Sequence, residues 1–248
     1  MTKQEVLKQV FGYDSFREGQ EAIIDNMLTG RDVLAIMPTG AGKSICYQVP
    51  ALMTAGITVV ISPLISLMID QVKSLNQAGI HAAYINSTLS ESQINKALDM
   101  AKQGKYKIIY VAPERLENSA FTEFASNGNI DILAIDEAHC ISQWGQDFRP
   151  SYLKILQFIK SLPKRPVIGA FTATATERVK EDIRCILNLE DPFITCTGFD
   201  RPNLYFKVQP IQKKKSKDTE ILSYIKEHSG ECGIIYCATR KNVDEICE

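Results

Sequence analysis

DVLAIMPTGAGKS, residues 32–44, is the stretch on which the reading of this chain turns. Its first six residues form an apolar run without polar alternation, the pattern of a strand covered on both faces. A glycine-bearing turn follows, and Lys43-Ser44 opens a helical pattern. The segment matches the phosphate-binding spacing G-x-x-x-x-G-K-[ST], except that Met37 stands at the first glycine position. Gly40 and Gly42 let the backbone of Thr39, Gly40, Ala41 and Gly42 turn its N–H groups inward around phosphate oxygens, where a side chain would block the approach. Lys43 is then placed to reach the β- and γ-phosphates of a nucleotide, and the Ser44 hydroxyl to ligate Mg²⁺. The helix that begins here points its N-terminus at the anion. A ligand-free strand-to-helix turn is the competing reading, and it leaves GKS directly after an apolar strand unexplained.

Working outward, short β-rich runs alternate with helical patterns. ITVVIS (57–62), KIIYVA (107–112), IDILAID (130–136) and PVIGAFTA (166–173) join DVLAIM (32–37) as expected strands, with helices expected over 64–77, 91–103 and 152–161. This order predicts an α/β fold, a mostly parallel sheet flanked by helices. Ligands of such folds sit beyond the carboxyl ends of the strands, where the informative segments fall.

The second such segment is ILAIDEAH (132–139), an apolar strand ending in two carboxylates. Asp136 is suited to hold Mg²⁺, usually through water, and Glu137 to orient or deprotonate an attacking water. Acidic residues also cap helix starts without any catalytic role. Paired with Lys43 in one α/β domain, the catalytic reading of Lys43, Asp136 and Glu137 is the stronger.

MPTGAGKS, DEAH and FTATAT (171–176), in this order, resemble motifs I, II and III of the superfamily 2 helicases, with SPLISLMIDQ (62–71) like motif Ia and YVAPERL (110–116) like motif Ib. CISQWGQDFRP (140–150) is similar to the aromatic-rich loop of RecQ-type DNA helicases, and FGYDSFREGQ (11–20) to their motif 0. FDRPNL (199–204) and GIIYCATR (233–240, like motif IV) also match. The resemblance covers nearly the whole chain. It implies a RecA-like lobe binding ATP and Mg²⁺, with Tyr13 stacking on adenine, Arg17 contacting the nucleotide and Gln20 hydrogen-bonding the adenine edge. It further implies DNA contact and coupling through His139, Gln143, Trp144, Phe148 and Arg149, and 3′→5′ translocation on single-stranded DNA with duplex unwinding, in the setting of DNA repair and recombination. From the residues alone, Trp144 is as well explained by packing under its loop as by stacking on a base. Asp14 or Ser15 capping a helix, with Phe16 in the core, is likewise an ordinary account of the motif 0 segment.

The expected domains are a first RecA-like lobe at 1–208, a basic linker at 209–218 containing KKKSK (213–217), and the beginning of a second RecA-like lobe at 219–248. GIIYC (233–237) reads as a strand there. A lone strand and a short helix cannot bury a core, so the chain reads as cut short of its second lobe. The helicase family completes its ATP site with arginine from that lobe. Three functions follow for testing: a RecQ-like DNA helicase, an RNA helicase of the DEAD/DEAH kind, and a nucleotide-binding fragment without turnover.

Bulk properties narrow the field only mildly. The 248 residues carry a formal net charge of −1, so no global field draws in a polyanion and any nucleic acid must be held locally. The seven cysteines include no C-x-x-C pair, which gives no zinc site and suits a reducing compartment. The N-terminus lacks the apolar core of a signal peptide, and no apolar run is long enough to span a membrane. The expected location is cytoplasmic, or the nucleoid or nucleus.

Overall fold

The structure is a computed structural model, and it describes residues 1–198, 204–210 and 214–247. By internal contacts the chain divides into Met1–Phe199 and Asp200–Glu248.

In the first unit, α1 (Lys3–Phe11) and α2 (Gln20–Leu28) precede β1 (Val33–Ile36) and α3 (Lys43–Met53). Then come β2 (Ile57–Ile61), α4 (Ile65–Gln77), β3 (Ala82–Ile85), α5 (Glu91–Lys102), β4 (Ile108–Val111), α6 (Ser119–Asn127) and β5 (Ile130–Ile135). The unit closes with α7 (Ile155–Ser161), β6 (Val167–Thr172), α8 (Glu177–Ile186) and β7 (Phe193–Cys196). The seven strands form one sheet in the order β3-β4-β2-β5-β6-β1-β7, and every pairing is parallel.

Strand side chains alternate between two buried layers. Leu34, Ile36, Val59, Ile61, Leu133 and Ile135 point to the face covered by α5, α6, α7 and α8. Val33, Ala35, Val60, Ile132, Ala134 and Phe171 point to the face covered by α2, α3 and α4. Both faces being apolar explains the unbroken hydrophobic runs. Each fully buried Leu, Ile or Val stabilises the fold by about 1.5–3 kcal/mol relative to exposure.

All five expected strands of this unit are present. β3 and β7 are additional, and both lie at sheet edges. β3 is four residues with two alanines, and β7 alternates between half-buried and exposed positions, so neither has the dense apolar signature of an inner strand. The helix expected over 152–161 starts as a 3₁₀ segment, Pro150–Lys154, and becomes α-helical at Ile155.

One buried carboxylate registers the β1, β6 and β7 side of the sheet. Asp32, just before β1, pairs with Arg165 and accepts from the N–H groups of Ile168 (2.9 Å) and Glu190 (2.8 Å). This one carboxylate ties together the approaches to β1, β6 and β7, at the end of the strands opposite the glycine-rich turn.

The second unit contains α9 (Lys214–Glu227) and α10 (Arg240–Cys247). Residues 214–218, expected as linker, are the opening of α9. Residues 233–237, expected as a strand, form none among the described residues, and Ile234 and Tyr236 are largely exposed. A strand requires a partner edge to satisfy its backbone groups, and the local sequence alone does not provide one. FDRPNL lies outside the described residues apart from Leu204, as does Lys213 at the head of KKKSK. No helix among the described residues is long and apolar enough to cross a membrane.

Candidate active site

The sheet order brings three strand ends side by side. β6 lies between β5 and β1, so the DEAH carboxylates, the FTATAT segment and the glycine-rich turn emerge as neighbours. The Met37 N–H donates to the Thr172 carbonyl at 2.9 Å, and the Asp136 N–H to that of Ile61 at 2.8 Å, carrying the ladder one residue past each strand. A cleft of about 560 Å³ opens above these ends and is lined by Tyr13, Arg17, Gly40, Lys43, Asp136 and Glu137, among others.

The turn has the geometry its glycines foretold. Gly40 and Gly42 adopt φ of 84° and 80°, the left-handed region that glycine enters without a steric cost. Gly42 is the N-cap of α3 and offers no side-chain cap, so the first N–H groups of that helix remain available to an anion. Lys43 Nζ donates to the Met37 carbonyl at 3.3 Å. The residue that replaces the usual glycine thus supplies a resting contact for the lysine through its backbone.

Motif 0 braces this turn from below. Gln20 is only 3% exposed, and its amide nitrogen donates to the carbonyls of Ala41 (3.0 Å) and Gly42 (3.1 Å). Its amide oxygen accepts from the Arg17 N–H at 2.9 Å, and the Arg17 guanidinium donates to the Gly40 carbonyl. A Cβ at Gly42 would lie 2.5 Å from Gln20 Nε2. Sequence reasoning placed Gln20 at the adenine edge and missed this brace, because side chain-to-carbonyl bonds leave no periodic trace. Tyr13 stands at the rim, 51% exposed.

At the other wall, Asp136 is 7% exposed and accepts from the Glu137 N–H at 3.0 Å. Burial, reinforced by the neighbouring Glu137, pushes its carboxyl up to about 6, with Lys43 opposing. The buried Ser62 hydroxyl beside it closes no hydrogen bond of good geometry. The desolvated Asp136 carboxylate, beside a second carboxylate, is stabilised by a cation, while Lys43 and the open start of α3 favour an anion. Ser44 and Asp136 therefore fit a divalent cation, and the cradle fits the phosphates it would accompany.

Glu137 is one of three non-glycine residues at positive φ among those described, at φ 47° and ψ 47°. Such a conformation costs about 1–3 kcal/mol and persists where surrounding contacts enforce it. Here the enforcing contacts are plain. Asp136 takes the Glu137 N–H, and Tyr152 Oη donates to the Asp136 carbonyl at 2.8 Å.

His139 links the carboxylates to FTATAT. Its Nδ1 lies 2.9 Å from Thr172 Oγ1 and 3.3 Å from Glu137 Oε2. The Thr172 hydroxyl donates its proton to the Thr174 carbonyl (3.1 Å), so the proton between His139 and Thr172 resides on Nδ1. Contacts with Cys140 sulfur and the Glu137 carboxylate raise the imidazole to about 9. The same pair lowers the Glu137 carboxyl, with His139 the main cause and Lys43 assisting.

The loop that follows is pinned at several points and still presents its tryptophan. Ser142 Oγ donates to Asp182 of α8 at 2.6 Å and accepts from the Trp144 N–H at 3.1 Å. Gly145 packs against the His139 and Ser142 carbonyls with no room for a Cβ. Arg149 pairs with Asp147 (2.8 Å) and donates to the Pro63 carbonyl (3.0 Å), tying the loop to the segment after β2. Phe148 is half-buried and Gln143 exposed. Trp144 is 61% exposed, so it is not packed under the loop, and the guanidinium of Arg178 sits 3.6 Å from its ring centroid. Sequence reasoning named Arg149 as the cation of this loop and missed Arg178, which lies 34 positions beyond Trp144 in the chain.

Comparison with known proteins identifies the family. The chain is 50% identical over 246 residues to the ATP-dependent DNA helicase RecQ of Bacillus subtilis, a match covering 99% of this chain and 41% of that protein. It is 44% identical to the ATP-dependent DNA helicase RecQ of Pasteurella multocida, covering 100% of this chain and 38% of the relative. The chain thus spans about two fifths of the length of these curated relatives. Among solved structures, the DUF1998 helicase MrfA bound to DNA and AMPPNP superimposes with a TM-score of 0.74 at 15% identity, over 99% of this chain and 37% of that one, a likeness of fold. The family model for the DEAD/DEAH box helicases matches residues 17–183, the span from motif 0 through FTATAT into α8, and the chain belongs to that family.

Proposed function

We propose that this chain is the ATP-binding lobe of a RecQ-type DNA helicase. The observation that carries the reading is the cleft in which an uncapped, glycine-turned helix start and Lys43 face the buried Asp136 and the half-buried Glu137, with that pair running directly into a loop that presents an exposed tryptophan. Similarity to RecQ DNA helicases along nearly the whole chain supports DNA as the nucleic acid.

In this reading the backbone of Thr39–Gly42 and the start of α3 receive the phosphates, and Lys43 leaves the Met37 carbonyl to contact the β- and γ-phosphates. Ser44 and Asp136 would hold Mg²⁺, which would supply neutralising charge to the transferred phosphoryl group. Glu137 orients the attacking water and accepts its proton, and the His139 contact keeps the carboxylate ionised and fixed. Tyr13 stacks on adenine and Arg17 contacts the nucleotide. Gln20 reaches the adenine edge by exchanging a bond to a turn carbonyl for one to the base, so occupancy of the base site is felt by the phosphate cradle. His139, Gln143, Trp144, Phe148 and Arg149 form the face that meets and reports single-stranded DNA, with 3′→5′ movement as in the family resemblance.

The test is ATP turnover measured with single-stranded DNA and with single-stranded RNA of equal length. Stronger stimulation by DNA is expected, and a preference for RNA would replace this reading with an RNA helicase of the same family. The 248-residue chain alone is expected to bind nucleotide without separating a duplex, since the family resemblance draws an arginine from the second lobe and an arginine finger is worth about 10³–10⁵ in rate in phosphoryl transfer. Robust strand separation by the chain would contradict this.

A further inference from the structure

The proposed function leaves Arg178 without a role. It lies in the first turn of α8, is exposed, and is held by no hydrogen bond or ion pair among the described residues. Its guanidinium lies over the face of Trp144, 3.6 Å from guanidinium carbon to ring centroid. The ring itself is 61% exposed, and the cation over its face makes no hydrogen bond or ion pair among the described residues.

The loop around the ring is much more firmly held. Ser142 donates to Asp182, one turn along the same helix, at 2.6 Å and receives the Trp144 N–H at 3.1 Å. Gly145 leaves no space for the backbone to shift toward His139. Helix α8 therefore holds the loop by two contacts of different kinds. Asp182 fixes the backbone through a buried serine, and Arg178 covers the ring through an exposed, exchangeable stack.

We propose that Arg178 is a positioning residue that holds Trp144 in its outward orientation and occupies the ring face on which an unpaired nucleobase stacks, so that the strand must displace Arg178 to engage the loop. The proposal rests on the reading of this loop as a nucleic-acid contact. The exchange is favourable because stacking of a base on an aromatic ring outweighs a solvent-exposed cation–π contact. It also takes place next to the catalytic wall. Helix α8 begins five residues after Thr172, whose hydroxyl holds His139 Nδ1, and the loop begins at His139 itself.

Trp144 is the chain's one tryptophan, so its emission reports this site alone. The experiment compares the wild-type chain with Arg178→Gln in two titrations, acrylamide quenching and binding of oligothymidylate followed by tryptophan emission. Without DNA, the variant's Trp144 is expected to be more readily quenched by acrylamide. With oligothymidylate, its half-saturation point is expected to fall by about two- to five-fold, the equilibrium equivalent of an exposed cation–π contact. Loss of a positive charge near a polyanion would by itself weaken binding, so the sign of the change discriminates competition from simple charge attraction. Equal or weaker binding by the variant, or unchanged acrylamide quenching, overturns the role given to Arg178; emission that still responds to the oligonucleotide in both proteins would leave the wider reading of the loop standing. If oligothymidylate changes the emission of neither protein, both the role of Arg178 and the loop as a base contact are lost.

Discussion

Single residues carry the chemistry, and their environments separate their tasks. Asp136 and Glu137 are adjacent carboxylates driven in opposite directions. Burial raises the first to about 6, while His139 lowers the second. In the proposed mechanism the first would serve as a cation ligand and the second as the base, held at a positive-φ backbone position. Glu137→Gln keeps the size and much of the hydrogen bonding, so nucleotide affinity is expected to stay within a few-fold while turnover falls by about 10²–10⁴, the usual contribution of a general base; equilibrium binding and phosphate-release assays on the same preparation check the two halves. Gly42→Ala is expected to abolish tight nucleotide binding without unfolding the lobe. Its Cβ would meet Gln20 Nε2 at 2.5 Å, in a backbone conformation that alanine disfavours. Nucleotide titration beside a thermal melt separates loss of the cradle from loss of the fold. Lys43, Asp136 and Glu137 were legible in the sequence because a glycine-lysine-serine run and a paired carboxylate each follow an apolar strand. The brace from Gln20 and the stack from Arg178 were not, since each joins residues far apart in sequence.

At the scale of elements, the inner strands announced themselves because both sheet faces are covered, which demands unbroken apolar runs. The edge strands β3 and β7 escaped notice because an edge needs fewer apolar side chains and tolerates exposure. The run at 233–237 looked like a strand for the same reason the true ones did, yet it lacks a neighbouring edge among the described residues. Composition proposes a strand and pairing makes one. Asp32 shows how such pairing is fixed at the end of the sheet away from the site. Replacing it with alanine leaves Arg165 and two backbone N–H groups without their shared acceptor, and the loss is expected to be about 3 kcal/mol, toward the low end for a broken buried pair because Arg165 is partly exposed. Urea denaturation monitored by circular dichroism measures it, and a change under 1 kcal/mol would mean that water readily takes the place of the carboxylate. Gly145→Ala acts on a different element, the aromatic loop. A Cβ there collides with the His139 carbonyl, so the loop must lift from the carboxylate wall. Weaker stimulation of ATP turnover by single-stranded DNA is expected, with the global melting temperature nearly unchanged.

For the whole molecule, the sheet order places three strand ends together and the helices on both faces hold them there, so a motif scattered over 140 residues becomes one cleft. Composition gave no hint of a polyanion partner, since the net charge is −1. The positive character is local, in Lys43, Arg17 and the open start of α3. In the proposed reading, ATP turnover and DNA contact are coupled because the carboxylate wall and the exposed tryptophan share a backbone from Glu137 to Trp144, while Thr172 and α8 contact it from the other side. All of this depends on the cleft being an ATP site. Calorimetric titration of the 248-residue chain with a non-hydrolysable ATP analogue, with and without Mg²⁺, alongside Lys43→Ala, tests that most directly. One molecule bound per chain, tighter with Mg²⁺ and weakened at least ten-fold by the substitution, is the expected result. Binding that ignores both Mg²⁺ and Lys43, or no binding by the wild-type chain, would contradict it.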